Sequence, residues 1–323
     1  MKVVHIGLGG FGVGWCRAIQ QRQDITLAAI VDTNPETFAK VHEFNIPCFT
    51  SLEEALASTR PDFIFNATPP GIHLEINRIA CAHNIPVLME KPIAEDFAHV
   101  VEMLEFTKKG HKIAVAENYR FYANNIFVKQ ELDKHLVNIS SVNMQFMRRH
   151  RMPDHNYHSQ MKHPALIDIG VHHIDLLRFF TGKEVLDVYA QASTPSYSWY
   201  KGLSGAKILA QMEDGIQFSY DCVMDARAIT GWNGHWTFIA ENGVARYIDD
   251  KLHFTTEGGD FTLAVPENEK GGDKNLLLDE FIAYLQHNKT PQTVLADQIK
   301  NAAVVEAAIQ SLETRAAVAT EWR

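Results

Sequence analysis

Cysteine is scarce and scattered: Cys16, Cys48, Cys81 and Cys222 are the only four in 323 residues, and no two form a CxxC pair. That spacing argues against a structural zinc site and against a disulfide framework, and it fits a reducing cytoplasm. Basic charge is also short. Lys and Arg total 30 against 39 Asp and Glu, a formal charge of −9, whereas a nucleic-acid binder shows a basic face. No apolar run approaches the roughly 18 residues needed to cross a bilayer. The first strand-like stretch begins at Lys2, which leaves no room ahead of it for a signal peptide. Internal repeats and low-complexity tracts are missing. With 46% apolar and 21% charged residues, the composition is that of a globular protein, long enough for two domains.

Two patterns divide the chain near residue 120. Up to there, short apolar runs alternate with helical stretches. Lys2–Ile6, Thr26–Val31, Asp62–Asn66, Pro86–Met89 and Lys112–Ala116 read as strands. Gly10 to about Gln21, Pro35–Phe44, Ile72–His83 and Asp96–Lys109 read as helices. Non-alternating apolar strands separated by helices imply βαβ units and a parallel sheet covered on both faces. Beyond residue 121 the strands alternate instead. Ile139–Met147 sets Val142, Met144 and Phe146 against Ser141, Asn143 and Gln145, and Ile216–Met224 repeats the scheme. Leu186–Ala192 and Ala206–Met212 are weaker versions, Asp214-Gly215 and Glu241-Asn242-Gly243 read as hairpin turns, and helices are expected near Leu166–Phe180, Asn275–Gln286 and Ala296–Ala316. The expected architecture is α/β: a doubly wound parallel dinucleotide-binding sheet over residues 1–120, then an α+β domain over 121–323 with an open, mostly antiparallel sheet. The polar face of that sheet offers a surface for a second copy.

Residues 7–12, GLGGFG, follow a strand and open a helix, the context that gives GxGxxG meaning. Gly7 permits the tight turn, Gly9 lets backbone approach a pyrophosphate, and Gly12 allows close helix–strand packing. Asp32, twenty residues past Gly12, ends the next strand, where a carboxylate accepts from ribose hydroxyls and repels a 2′-phosphate. NAD is therefore expected, with NADP disfavoured. The plainer alternative is a glycine-rich connector followed by a helix-capping Asp.

Glu90-Lys91-Pro92 directly follows a strand, at a crevice-lining position of a doubly wound sheet. Lys91 there is either a donor to a substrate hydroxyl or an ordinary solvated lysine. In Asp168-Ile-Gly170-Val-His172-His173-Ile-Asp175, Asp168 and His172 stand four apart. On a helix they share a face, either as an acid/base pair or as an N-cap with a core histidine. The stretch from Arg148 to His163 is rich in His and Arg. It reads as a roof over a site, with Arg149 and Tyr157 as substrate contacts, or as a solvated loop. His155 and His158 are spaced as a ligand pair, but no carboxylate or Cys cluster joins them and no metal is expected. Trp232, in a Trp-Asn-Gly-His-Trp cluster, is a stacking platform for a pyranose or a core or interface residue.

The series GLGGFG, Asp32, Ala67-Thr68-Pro69-Pro70 with His73, Glu90-Lys91-Pro92, Asn118-Tyr119-Arg120-Phe121 and Asp168xGly170xHis172xxAsp175 resembles the glucose-fructose oxidoreductase and inositol dehydrogenase (Gfo/Idh/MocA) family over nearly the whole chain. The resemblance implies a Rossmann domain, a second domain with an open sheet, and NAD-dependent oxidation of a secondary alcohol on a sugar, cyclitol or related polyol. By matching motifs it implies Lys91, Asp168 and His172 as the catalytic set. Gly7, Gly9, Gly10, Phe11, Gly12, Asp32, Thr68, Pro69, His73, Glu90 and Lys91 then fall around the cofactor, and Arg120, Arg149, Tyr157, His173 and Trp232 near the substrate. The polar face of the second-domain sheet points to a homodimer or homotetramer, and the charge balance and short apolar runs to neither nucleic acid nor membrane as partner. Two departures stand out: Pro-Pro at 69–70 where Pro-Asn is frequent, and the doubled histidine at 172–173. The competing readings are an NAD-dependent glycoside hydrolase on the same fold, distinguished by whether NADH accumulates, and a non-catalytic dinucleotide-sensing regulator, which would lack the catalytic trio.

Overall fold

The structure is a computed structural model and describes residues 1–149, 157–227 and 230–322. Two compact units emerge: residues 1–118 with 271–299, and residues 119–270 with 300–323. The first thus holds a late segment, 271–299, that lies far beyond the pattern change near residue 120.

In the first unit the chain runs β1 (Lys2–Ile6), α1 (Gly10–Gln20), β2 (Thr26–Val31), β3 (Cys48–Phe49), α2 (Leu52–Ser58), β4 (Phe63–Asn66), α3 (His73–Ala82), β5 (Val87–Met89), α4 (Phe97–Lys108) and β6 (Ile113–Val115). The strands form one parallel sheet in the order β3-β2-β1-β4-β5-β6. Strand order reverses between β1 and β4, which is where this architecture opens a crevice at the carboxyl ends of its strands. Val3, Val4, Phe63, Ile64, Phe65, Val87, Leu88 and Met89 are completely buried, as strands covered on both faces require. Pro35–Phe44, expected as a helix, is a run of 3-10 turns instead. Only Val41 in it is buried, so no apolar stripe holds it in the wider α spiral.

The second unit contains α5 (Ala123–His135), β7 (Ile139–Met147), α6 (Val171–Thr181), β8 (Val185–Ser193), β9 (Gly205–Met212), β10 (Gln217–Val223), β11 (His235–Ala240), β12 (Gly243–Ile248), β13 (Lys251–Thr256) and β14 (Gly259–Ala264). There follow α7 (Gly272–His287), which belongs to the first unit, α8 (Leu295–Thr314) and β15 (Val318–Ala319). The nine strands are ordered β14-β13-β12-β11-β7-β10-β9-β8-β15, antiparallel throughout except for the parallel pair β7/β10. Alternation assigns the faces. Met144, Tyr220, Ile208 and Trp236 lie side by side across four strands and are buried, while Asn143, Ser219, Leu209 and Thr237 form the matching row on the opposite face. The buried face packs with Leu176, Leu177 and Phe180 of α6 and Val304 and Ala308 of α8.

Candidate functional site

In the first unit the glycine turn leaves β1 with Gly7 at φ +94°, a left-handed conformation that favours glycine. A Cβ on Gly7 would lie 2.5 Å from the Ala67 carbonyl oxygen, and one on Gly12 would lie 2.2 Å from that of Gly7. At Gly9 and Gly10 an added Cβ meets nothing within 4 Å. Two of the glycines are therefore required by packing, while the other two leave the start of α1 open, where free N–H groups favour an anion. These residues fit a dinucleotide. We expect Gly12→Ala to lower the melting temperature, because the conflict is with backbone, and Gly9→Ala to fold normally but lose NAD affinity. Thermal melts and NAD titrations of the two variants check both halves.

His5 donates from Nε2 to the Gly7 carbonyl at 2.9 Å and stacks on Phe65. Burial pushes its imidazole down to about 4, so the ring stays neutral. Asp32 accepts from the Leu8 amide at 2.7 Å and from the Asn34 amide at 2.9 Å, which fixes its carboxylate at the end of β2. Lys40, a residue the sequence patterns did not single out, donates to the Leu8 carbonyl at 2.9 Å. After β4, the Thr68 hydroxyl donates to Asn66 at 2.7 Å, and Pro69 leads into the turn 70–72. His73 is fully buried, its ring nitrogens 2.9 and 3.0 Å from the carbonyls of Thr68 and Ile93. It ties the loop after β4 to the loop after β5 and has no open face for a cofactor. Glu90 and Lys91 follow β5. The Lys91 ammonium lies 5.9 Å from the centre of the Phe11 ring, which is itself exposed.

In the second unit Asp168 and His172 come from a stretch that is not a plain α-helix. Ala165–Gly170 is a π-helical turn running into α6. Gly170 explains part of that geometry, since a Cβ there would sit 2.8 Å from the Ala165 carbonyl. Such wide turns occur often at functional sites. Asp168 is buried, with His158 Nε2 at 3.7 Å. The His172 ring stacks on Tyr119 with centroids 3.9 Å apart and planes 5° from parallel. The sequence presents His158 only as half of a ligand pair and Tyr119 only as a motif residue; here each packs against a member of the expected catalytic set.

His173 does not face a site. Its Nε2–H donates to the Trp232 carbonyl at 3.1 Å and its Nδ1 accepts from the Tyr220 hydroxyl at 2.9 Å. Both nitrogens are satisfied inside the unit, and burial pushes the ring down to about 3. In the unfolded chain the imidazole has its ordinary value near 6.5, so the unfolded state takes up the proton first. The stability this gives is complete above about pH 6.5 and declines as pH falls toward 3, by about 1.4 kcal/mol per pH unit. Urea midpoints measured from pH 7 to 4 should fall with that contribution added to the one from His5, and His173→Phe should remove its share and leave that of His5.

Arg120 is likewise committed to internal bonds. It is buried and grips Asp175 with Nε and Nη2, each at 2.7 Å. Trp232 is 40% exposed and lies under the Arg148 guanidinium at 4.7 Å, while Arg148 also donates to the Thr230 carbonyl at 3.0 Å. Tyr157 is exposed against His158, and Arg149 is exposed. His150, Arg151 and His155 lie outside the described residues. Among the described residues no group of three or more His, Cys, Asp and Glu is placed to hold a metal, and no helix is long and apolar enough to cross a membrane.

Two family models match the chain: the Gfo/Idh/MocA oxidoreductase family with an NAD-binding Rossmann fold over residues 1–119, and the Gfo/Idh/MocA C-terminal domain over residues 133–246. The uncharacterized protein y4oX of Sinorhizobium fredii is 25% identical over 337 residues, covering 96% of this chain and 93% of that protein. Inositol 2-dehydrogenase of Arthrobacter sp. is 26% identical over 268 residues, covering 80% and 77%. Among solved structures, an oxidoreductase from Agrobacterium radiobacter in complex with NAD+, L-tartaric acid and magnesium superposes with a TM-score of 0.91 at 21% identity, covering 99% of this chain and 98% of that one. At that identity the likeness shows a shared fold.

Proposed function

Because the chain belongs to the Gfo/Idh/MocA family of NAD-binding oxidoreductases, we propose that it oxidises a secondary alcohol of a sugar, cyclitol or related polyol. The observation that carries this reading is the placement of its polar groups. An ammonium, Lys91, stands directly past a strand end of the parallel sheet, and a carboxylate and an imidazole, Asp168 and His172, stand four residues apart across a π-to-α junction. Bound NAD supplies the hydride acceptor. His172 takes the proton from the carbinol oxygen, held in plane by Tyr119. Lys91 donates to that oxygen and stabilises its developing negative charge. Asp168 holds a neighbouring hydroxyl and orients His172. The fixed carboxylate of Asp32 supports NAD over NADP, because a 2′-phosphate would meet a like charge.

Trp232, Tyr157 and Arg149 remain our candidates for substrate contact, since each has exposed surface. Arg120 and His173 are not, because their polar atoms are committed internally. The test is a panel of cyclitols, aldoses and sugar acids, each with NAD and with NADP, followed at the nicotinamide absorbance band. NADH accumulating with a polyol supports the reading. A cofactor that stays bound and recycles while a glycoside is cleaved overturns it.

We further propose that the second-unit sheet pairs copies of the chain into a homodimer or homotetramer. Its open face carries the exposed Ile239, and Leu209 (61% exposed) with Asn143, Gln145, Lys207, Ser219 and Asp221 lines a depression of about 740 Å³ there. An aspartate at Leu209 is expected to reduce the mass measured by sedimentation equilibrium to that of a monomer. A native protein that already sediments as a monomer would end this proposal. The four free thiols support the cytoplasm as its compartment.

A further inference from the structure

Three side chains of the first unit that the proposed chemistry leaves unused meet one another: Trp15 on α1, Glu90 after β5 and Lys274 on α7. The Trp15 indole N–H donates to one oxygen of Glu90. The other Glu90 oxygen accepts from the Lys91 backbone amide at 3.0 Å. The Lys274 ammonium lies 4.8 Å over the Trp15 ring. It also lies 3.2 Å from where a Cβ on Gly14 would stand, so the glycine one residue before Trp15 leaves room for it. Residues 15, 90 and 274 are far apart in sequence, and Trp15 also packs its ring against Phe65 at 4.7 Å.

The electrostatics make the arrangement more than filler. Burial pushes the Glu90 carboxyl up, opposed first by Lys91, with Glu117 adding to the rise. Burial pushes the Lys274 ammonium down, opposed by Asp273 and Glu90. Asp273 in turn accepts from Asn118 at 2.5 Å. A carboxylate in so desolvated a place needs cationic neighbours and N–H donors to stay ionised. Here Lys91 supplies the nearby cation and Trp15 a directed donor, with the Lys274 ammonium held over the Trp15 ring.

We infer that Glu90, held by Trp15 with the Lys274 ammonium over the indole ring, is a positioning residue that keeps the Lys91 backbone in register for reaction with the substrate hydroxyl. The clamp joins the helix that follows the dinucleotide turn to the loop that presents the ammonium. Both parts that must align for hydride transfer are thereby referenced to one another. The inference rests on the reading of Lys91 given above. A group placed from three elements is held more tightly than one on a loop alone, and misplacement of a reacting group by about 1 Å can cost about a hundredfold in rate.

The experiment compares Lys274→Met, Lys274→Arg, Trp15→Phe and Lys91→Met on the full chain, using whichever polyol the panel identifies. Lys274→Met and Trp15→Phe should lower kcat about tenfold or more, with the Kd for NADH and the KM for NAD within about twofold of the parent. Lys274→Arg should restore most of the rate, because it retains the cation over the ring. A merely structural role would lower Tm and NADH affinity along with kcat, and that result, or an unchanged kcat in Lys274→Met, overturns the inference. Lys91→Met separates the two levels. If it is inactive while Lys274→Met is unaffected, only the clamp fails; if Lys91→Met stays active, the reading of Lys91 itself fails.

Discussion

His172→Ala and Lys91→Met are expected to bind NADH as the parent does and to transfer essentially no hydride. Removing a positioned general base costs on the order of 10² to 10⁴ in rate, and removing a donor aimed at the developing oxyanion costs a similar 10² to 10³. Methionine preserves the reach and most of the volume of Lys91 without its charge, so the loss is electrostatic. Binding of NADH should survive because the groups that hold it in our reading, Gly9, Gly10 and Asp32, are on separate elements of the first unit. For His172 the stacked Tyr119 ring gives a second handle. His172→Asn removes the base while leaving part of the stack, and its rate should match that of His172→Ala. Single-turnover measurements of NADH formation, alongside fluorescence titration of NADH, separate chemistry from binding. A variant of either residue that keeps turnover within a few-fold of the parent would show that the proton moves by another route.

Asp175→Ala should be the most destabilising substitution in the second unit. The carboxylate is completely buried. It accepts from Arg120 twice and from Asn301 at 2.7 Å, and Arg178 stands 4.0 Å away. Arg178 extends the network to Asn301 at 2.8 Å and to Glu184 at 2.6 Å, and Glu184 also holds Lys300 at 2.7 Å. Deleting the carboxylate removes the bidentate counter-ion of the buried Arg120 guanidinium, while Arg178 keeps Glu184, a loss of about 3–5 kcal/mol. Against a total stability of roughly 5–15 kcal/mol, that should lower Tm by on the order of 10 °C. The exposed pair Lys183–Asp214 is the control: Asp214→Ala should cost less than about 1 kcal/mol. Calorimetry on both variants decides it, and an Asp175→Ala protein as stable as the Asp214→Ala protein would mean the network contributes nothing net.

Much of the first unit was legible because its signals are local. The glycine turn needs only residues 7–12 in context, and the end of β2 at Asp32 follows from one apolar run. β1, β2 and β7 fall within the residues their patterns indicate. The short helix Leu52–Ser58 and the longer Ala123–His135 were not anticipated. Ala123–His135 carries Asn124, Asn125, Val128 and Leu132 on its buried side, so two of its four inward positions are polar and the apolar stripe is broken. The hairpin turn at 241–243 was read and joins β11 to β12, but the strands from His235 to Ala264 were not placed, because they are six residues each with frequent turns between.

The site was legible in its motif residues but not in its supports. Adjacent histidines at 172 and 173 look alike in sequence. One stacks on Tyr119, and the other has both nitrogens occupied by Tyr220 and Trp232, because α6 is buried on nearly every side. Arg120 reads as a substrate contact until Asp175, fifty-five residues later, is placed against it. The Trp15–Glu90 bond spans seventy-five residues. Such partners are set by tertiary contact, for which no short spacing exists.

The late segment 271–299 completes the first unit in specific ways. Phe281 packs edge-on against Phe63 at 5.4 Å, Arg22 pairs with Asp279 at 2.5 Å, and the Val115 amide donates to the Thr293 carbonyl at 2.9 Å. A gene fragment ending at residue 118 would therefore encode a nucleotide-binding sheet with one flank stripped of its cover. During synthesis that flank has to wait for more than 150 further residues to leave the ribosome before it can close. Anyone excising the module would need to splice the two stretches together rather than cut once.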